Sequence, residues 1–368
     1  MYDLDSKASS RGPSIRSLLK HLRTVFAPFA DLPFRKLSDL HAATGCLAEK
    51  SKSFYVSSFV FEGRLQLDLL ILYVVHRKRR LLSAADVVLH RAWCGRYSWC
   101  RVVDDLIDEA LSPGQAVASV AFIAQYLDFT YADPKDPPPR TLSPADWDQL
   151  DRLLKPVPVA SRPPFRLLTE LPIPRGPLDE LVAGFRTDLA FTHASAGPAS
   201  VIVTEADLDK YASNVASSVA DLCVRLAWSR SAEPPPPPVE AAATVAAARC
   251  MGQALQLVNI ARDVAADAHL GRVYLPGVLR DALTADDGLA GVTDTRKGLL
   301  RRARALAAES YGAIERLPRE VRGGMRAACC VYLEIGEAVE AALREGRLGE
   351  RARVPAGRRL WTAWRALA

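Results

Sequence analysis

Apolar and polar positions repeat with a helical period along most of the chain, most clearly in residues 253–276, QALQLVNIARDVAADAHLGRVYLP. A helix here places Asn259, Asp263 and Asp267 on one face, one turn apart. Apolar residues cover much of the remaining circumference: Leu255, Leu257, Val258, Ile260 and Val264. Burying a carboxylate is costly unless it is paired or bound to a metal, and hard divalent cations take oxygen ligands of this kind. The pattern therefore predicts a mostly buried helix whose polar face binds a charged group.

Residues 99–109, WCRVVDDLIDE, repeat this arrangement. Asp104 and Asp108 lie one helical turn apart, and apolar side chains surround them. One such pair alone is equally well explained by a solvated acidic face. Two such helices that face each other would instead line a cavity with carboxylates, which requires a metal and suits a diphosphate bridged by Mg²⁺. We therefore expect Mg²⁺, or Mn²⁺ in its place, and a diphosphate substrate.

The rest of the chain also has the helical period, and essentially no stretch alternates as a β-strand does, so the pattern predicts an all-α fold. From Ser14 a basic amphipathic helix is expected, which either packs on the body of the protein or touches a membrane surface. Residues 298–345 predict two helices joined at 317–324. Residues 132–177 are rich in proline, and we expect a surface connection with one short helix capped by Ser143.

Composition limits the choice of partners and compartment. The chain has 368 residues, 49% of them apolar, and a net charge of +6, which suits anionic substrates or an anionic membrane surface. The basic residues are spread out, so no nucleic-acid partner is expected. Seven cysteines without a CxxC pair favour reduced thiols and a cytoplasmic location. No apolar run is long enough to span a bilayer, so peripheral membrane contact is the membrane interaction that stays open. The oligomeric state is also open.

Four segments occur in an order that is similar to that of a known family. They are SKSFYVSSF (51–59), CRVVDDLID (100–108), YASNVASSVADL (211–222) and QLVNIARDVAADAHLGRVYLP (256–276). The chain resembles the squalene/phytoene synthase family, the head-to-head prenyl transferases. Its GRVYLP ending resembles phytoene synthases more than squalene synthases, and the fungal type above all.

The resemblance implies the isoprenoid synthase fold, a helical bundle around a central cavity. It implies a synthase domain over residues 40–350, preceded by a tail and amphipathic helix (1–39) and followed by a basic tail (351–368). The implied activity is the condensation of two geranylgeranyl diphosphates to phytoene through a cyclopropyl diphosphate, a step of carotenoid biosynthesis. Two alternatives stay open: squalene or dehydrosqualene synthesis from farnesyl diphosphate, and a non-catalytic homologue that acts as a scaffold.

The resemblance also implies roles for individual residues. Metal ions would be held by Asp104, Asp108, Asn259, Asp263 and Asp267. Reaction chemistry would involve Tyr211, whose ring can stabilise carbocations, together with Arg101, Asp104 and Asp263. Substrate contacts would come from Ser51, Lys52, Ser53, Phe54, Tyr97, Gln256, Arg262, Arg272 and Tyr274. Asp188 matches a family position expected to support the site, whereas Ser217 replaces the glycine that the family usually has there.

Residues 74–97 interrupt the expected pattern, because the family continues directly from the segment ending at Tyr73 into the one beginning at Ser98. Three interpretations stand: a genuine insertion, a retained intron that keeps the reading frame, or a replacement of an arginine-containing segment found in bacterial relatives. A genuine insertion would enter a helix that positions metal ligands and would disturb the site.

Overall fold

The computed structural model describes residues 99–108, 110–131, 142–194, 201–278, 280–284 and 287–367. Every regular element in these ranges is helical, which confirms the predicted all-α fold. The helices are Trp99–Asp108 (α1), Pro113–Thr130 (α2), Pro144–Leu153 (α3), Pro163–Leu168 (α4), Arg175–Ala194 (α5), Glu205–Ala212 (α6), Ser218–Arg230 (α7), Pro238–His269 (α8), Arg280–Thr284 (α9), Gly288–Gly291 (α10), Thr293–Tyr311 (α11), Arg319–Arg344 (α12) and Ala356–Leu367 (α13).

Several predictions made from the sequence concern residues outside the described ranges. These are the amphipathic helix from Ser14, the substrate-contact segment 51–54, and the interruption at 74–97 together with Tyr97. None of the helices in the described ranges is both long enough and apolar enough to cross a membrane.

Local sequence signals account for most helix starts. Ser143 caps α3 and forms a reciprocal capping box with Asp146, as its position before Pro144 predicts. Thr204 and Asp207 form a second capping box at the start of α6. Pro238 occupies the first turn of α8, where a missing amide proton costs nothing.

Helix α8 is the axis of the bundle. It contains 32 residues, which corresponds to about 48 Å of helix. Its apolar residues Leu257, Val258 and Ile260 are buried. Helices α7, α11 and α12 pack around it.

The proline-rich connection is more buried than the sequence predicts. Within it, α4 buries Phe165 and Leu168 completely, and the Tyr126 hydroxyl donates a hydrogen bond to the Phe165 carbonyl at 2.6 Å. Trp99 of α1 packs edge-on against the Phe165 ring, with the centroids 6.4 Å apart. The expectation of a surface connection is therefore wrong for residues 163–168, because their prolines start a helix whose apolar residues join the core.

The two helices predicted in residues 298–345 are confirmed, but their junction lies at 312–318 and not at the predicted 317–324. Helix α11 ends at Tyr311, a 3₁₀ turn spans Gly312–Arg316, and α12 begins at Arg319. Pro318 is the cap of α12, and Gly323 lies inside the helix, where Leu367 of α13 packs so closely that a Cβ would meet it at 3.2 Å. Glycine serves close helix packing here, whereas the sequence pattern favoured a turn.

A short π-helical segment, Ser213–Ser217, connects α6 to α7 and lies directly against α8. The Ser217 hydroxyl donates to the Arg249 carbonyl at 2.7 Å. A Cβ at Gly252 would lie 2.6 Å from the Ala216 carbonyl oxygen. Only glycine therefore allows α8 and the π-helical segment to approach this closely.

We expect Gly252→Ala to lower the free energy of unfolding by about 1–3 kcal/mol, because backbone must move to admit the methyl group. The measurement is chemical denaturation monitored by circular dichroism. Gly298→Ala in α11 is the matched control, since its Cβ would meet only the end of the Arg301 side chain, at 3.8 Å. The control should gain about 0.5–1 kcal/mol from helix propensity. Equal stabilisation of both variants would contradict the close approach.

Candidate active site

One end of the bundle encloses an apolar cavity with a polar end. Helices α1, α5, α7, α8 and α12 and the π-helical segment contribute to its lining. The cavity holds about 1430 Å³ of space between atoms, including its opening to solvent. Apolar lining residues include Leu181, Phe185, Val219, Met251, Ile314 and Met325. The polar lining includes Asp104, Asp188, Tyr211, Gln256 and Asn259.

Asp104 of α1 and Asn259 of α8 line the same cavity, although they are 155 positions apart in the sequence. The side-chain oxygen of Asn259 is buried and accepts no hydrogen bond from the described residues. A buried amide oxygen without a hydrogen bond lowers the stability of the fold unless a ligand or ion binds to it. The Asn259 side-chain nitrogen donates a hydrogen bond to the side-chain oxygen of Gln256 at 3.5 Å. The pair Asp104 and Asn259 thus offers oxygen donors to a cation.

Asp263, one turn further along α8, is held by two arginines. Arg262 binds its carboxylate with two hydrogen bonds of 3.0 and 2.7 Å, and Arg351 binds it with two of 2.8 and 3.0 Å. Burial alone would raise the pKa of Asp263, but these hydrogen bonds and charges outweigh burial and lower the pKa to about 2. The carboxylate is therefore ionised and neutralised by protein cations.

Arg351 reaches Asp263 because a neighbouring arginine fixes the loop after α12. Arg296 of α11 is buried, and its guanidinium donates to the Ala261 carbonyl at 2.9 Å and to the Leu348 carbonyl at 2.8 Å. These bonds tie the loop to α8. Arg351 belongs to the segment that the sequence indicates only as a basic tail, so its place at the site was missed.

A second charged contact joins α1 to the turn after α8. Arg272 forms an ion pair with Asp108, the last residue of α1. Arg272 also lies with Asp267 and Tyr274 around a small space beside the larger cavity. The two aspartate-bearing helices therefore meet near their C-terminal ends through an arginine.

Two stacked tyrosines and a buried carboxylate form a third cluster. The Tyr211 and Tyr274 hydroxyls both donate to one oxygen of Asp188, at 3.0 and 2.7 Å. Their rings stack with centroids 4.7 Å apart, and Phe191 packs edge-on against Tyr274 at 5.1 Å. Burial raises the pKa of both tyrosines well above the usual value, and the charge of Asp188 adds to the effect. Both phenols therefore stay protonated at neutral and moderately alkaline pH.

Three cysteines also line the cavity: Cys100, Cys223 and Cys329. Burial is the main cause that raises their pKa, to about 12 for Cys223 and Cys329 and higher for Cys100. At neutral pH these side chains are thiols and not thiolates.

The structure thus places the predicted residues in three groups. Asp104, Tyr211, Gln256 and Asn259 line one cavity; Arg262 and Asp263 pair beside it; Asp108, Asp267, Arg272 and Tyr274 lie around the turn after α8. Ser51, Lys52, Ser53, Phe54 and Tyr97 lie outside the described residues, as does the side chain of Arg101. Among the described residues, no three Asp, Glu, His or Cys side chains converge as a metal site.

Asp188→Ala should lower the free energy of unfolding by about 2–4 kcal/mol, because two buried hydroxyls lose their acceptor. The matched control is Asp179→Ala on the same helix. The Asp179 carboxylate is half-exposed and pairs with Arg175, so its loss should lower the free energy of unfolding by about 1 kcal/mol or less. Denaturation curves measure both.

A further variant separates lost hydrogen bonds from lost packing. Adding Tyr211→Phe and Tyr274→Phe to Asp188→Ala removes the orphaned donors and should recover part of the stability. No recovery, or equal losses for the two aspartates, would contradict the described network.

Comparison with known proteins supports a family assignment. Curated relatives include bifunctional lycopene cyclase/phytoene synthases: that of Gibberella fujikuroi is 35% identical over 97% of this chain and 57% of its own length. That of Phaeosphaeria nodorum is 37% identical over 90% of this chain and 51% of its length. The chain thus spans little more than half the length of these relatives.

Solved structures show the same fold. A dehydrosqualene synthase in complex with a ligand superposes with a TM-score of 0.59 and 20% identity, covering 90% of this chain and 96% of that one. Squalene synthase HpnC from Alicyclobacillus acidocaldarius superposes with a TM-score of 0.54 and 18% identity, covering 86% of this chain and 97% of that one. The predicted isoprenoid synthase fold is thereby confirmed. A model of the squalene/phytoene synthase family matches residues 82–358, and the chain belongs to this family.

Proposed function

We propose that this chain is a phytoene synthase, a prenyl transferase that joins two geranylgeranyl diphosphates head to head and releases diphosphate. The observation that carries the proposal is one cavity whose walls are apolar and whose end holds Asp104 and Asn259. The names of the fungal relatives, which include phytoene synthase, favour this activity within the family. The product belongs to carotenoid biosynthesis.

The length and lining of the cavity suit a long prenyl chain. On α8 the lining residues run from Thr244 to Asn259, which corresponds to about 22 Å of helix. Several lining positions carry alanine, including Ala216, Ala220, Ala247 and Ala248, and these small side chains leave space in the cavity for a ligand. The polar residues Gln256 and Asn259 follow at one end of this stretch. A diphosphate would lie at that end and its hydrocarbon chain along the alanines.

The donors at the polar end fit a divalent cation. Asn259 presents a buried oxygen that the described residues leave without a hydrogen bond, and Asp104 shares its cavity. Mg²⁺ keeps several waters and takes substrate phosphate oxygens, so few protein ligands suffice. The family generally depends on a divalent metal, and Mg²⁺ is our choice, with Asp267 as a further proposed ligand. Asp108 and Asp263 are also proposed as ligands, and each would have to exchange its arginine partners for the metal. When bound, the metal supplies positive charge that stabilises the departing diphosphate.

The arginines supply positive charge from the protein itself. Arg262, Arg272 and Arg351 already bind the carboxylates Asp263 and Asp108. A diphosphate at the polar end would share these guanidinium groups, and bidentate contacts with phosphate oxygens would hold it in place. Arg101 and Lys52, with Ser51 and Ser53, are proposed to complete this anion site.

Tyr211 is proposed to act on the carbon chemistry. Breakage of the C1–O bond of one substrate leaves an allylic cation, which the double bond of the second substrate attacks. Loss of a proton closes the cyclopropyl diphosphate, and a second ionisation, rearrangement and proton loss give the product. The ring face of Tyr211 would stabilise these cations, while its protonated hydroxyl stays bound to Asp188. Phe54 and Tyr274 would help to exclude water.

The protonation of the cavity thiols supports this chemistry. A thiolate is a strong nucleophile and would capture a carbocation. Because burial keeps Cys223 and Cys329 protonated, with a pKa of about 12 each, the cavity wall presents much weaker nucleophiles.

The test is a product assay on the purified chain with geranylgeranyl diphosphate and Mg²⁺, without NADPH. We expect phytoene in the organic extract and released diphosphate. Asn259→Ala and Asp104→Ala should each lower turnover by about a hundredfold or more, because each removes an oxygen ligand of the metal whose charge would stabilise the leaving group. Asp294→Ala, an exposed carboxylate in α11, is the matched control and should leave turnover unchanged.

The assay also separates the alternatives. Product from farnesyl diphosphate alone would identify a dehydrosqualene synthase, and product that requires NADPH would identify a squalene synthase. If no diphosphate is released from either substrate, even after removal of residues 74–97, the scaffold alternative replaces the enzyme.

A further inference from the structure

The last helix, α13, presents an apolar stripe to solvent. Leu360 and Trp361 are 58% and 57% exposed, and Trp364, one turn beyond Leu360, is 37% exposed. The two tryptophan rings stack with centroids 5.1 Å apart and planes 25° from parallel. We call these three residues the tryptophan stripe. Large apolar groups clustered on one surface usually mark a contact with a partner.

The opposite side of α13 fixes the helix on the protein. Ala363 is buried against Ala327 and Val331 of α12. The Arg326 guanidinium donates to the Ala366 carbonyl at 3.1 Å, and Thr362 donates to Glu334 at 3.3 Å. The tryptophan stripe is therefore held outward by the packing and is not a frayed end.

The charge around the stripe identifies the class of partner. Residues 351–368 contain five arginines and no aspartate or glutamate. Arg358 precedes the stripe and Arg365 follows it, and both are exposed. Tryptophan rings prefer the headgroup level of a bilayer, and arginines beside them bind anionic headgroups. The charge complementarity thus favours an anionic lipid surface.

The position of α13 relative to the cavity agrees with this partner. One side of α12 lines the cavity through Met325, Ala328 and Cys329, while Ala327 and Val331 contact α13. Helix α12, about 10 Å thick, lies between α13 and the cavity. If the proposed function holds, both the prenyl substrate and its hydrocarbon product dissolve in bilayers, so a docked bilayer would lie near the cavity.

We propose that the tryptophan stripe of α13 docks the protein peripherally on anionic bilayers. Trp361, Trp364 and Leu360 enter the headgroup region, and the exposed arginines Arg353, Arg358 and Arg365 bind the lipid phosphates. This contact differs from the amphipathic segment that begins at Ser14, because it depends on a helix already folded on the core.

The test is co-sedimentation of the full chain with vesicles of phosphatidylcholine, alone or mixed with phosphatidylglycerol. The wild-type chain should bind the mixed vesicles. Trp361→Ala/Trp364→Ala should lower the partition coefficient by about tenfold or more. Arg353→Gln and Arg365→Gln should each lower it by about fivefold on mixed vesicles only. Leu111→Ala removes another apolar side chain, 92% exposed and remote from α13 in sequence, and should bind as wild type does.

Quenching of tryptophan fluorescence by brominated lipid gives a second measurement, which should be strong in the wild type and lost in the double variant. Leu360→Ser serves if the double variant fails to fold. The proposal would be overturned if the wild-type chain did not bind the mixed vesicles, or if the double variant bound them with the wild-type partition coefficient. Conversion of a dimer to a monomer by the double variant, without change in vesicle binding, would assign the stripe to a second copy. Because no substrate is present, the outcome does not depend on phytoene synthesis.

Discussion

An ionised carboxylate inside an apolar bundle needs a compensating charge, and this constraint shapes the polar end of the molecule. Asp263 is buried in α8 and is neutralised by Arg262 beside it and by Arg351 from the far end of the chain. Removal of Asp263 would leave two arginine charges without their carboxylate, which is far costlier than a broken surface pair. The pairing therefore also specifies where the segment after α12 must lie.

The same constraint explains why cations and aspartates occur together around α8. Asp108 at the end of α1 is paired with Arg272, and Asp188 accepts two tyrosine hydroxyls. Each acid is stabilised by a group from another helix or from the turn after α8, so the polar contacts fix the relative positions of these elements. The apolar walls contribute burial but little orientation, because hydrophobic contact is not directional.

The sequence predicts those parts of the site that depend on local periodicity. Asn259, Asp263 and Asp267 repeat at helical spacing within α8, and Asp104 and Asp108 do so within α1, because one turn is a short-range property. The segments that the chain shares with its family also indicate the fold. Arg351 shows the limit of this reasoning, since it pairs with a residue 88 positions away and carries no local signal. The start of α12 and the burial of Phe165 likewise depend on packing partners that periodicity does not reveal.

The continuity of α8 restricts how the protein can vary in length. One helix supplies the cavity lining from Thr244 to the polar donors Gln256 and Asn259. Inserting or deleting one residue between them would rotate everything beyond by about 100° and turn these donors away from the cavity. Insertions and deletions are therefore confined to the flanking segments, such as the prolines before Pro238. The interior of α8 must keep a fixed number of residues between the apolar lining and the polar donors at its end.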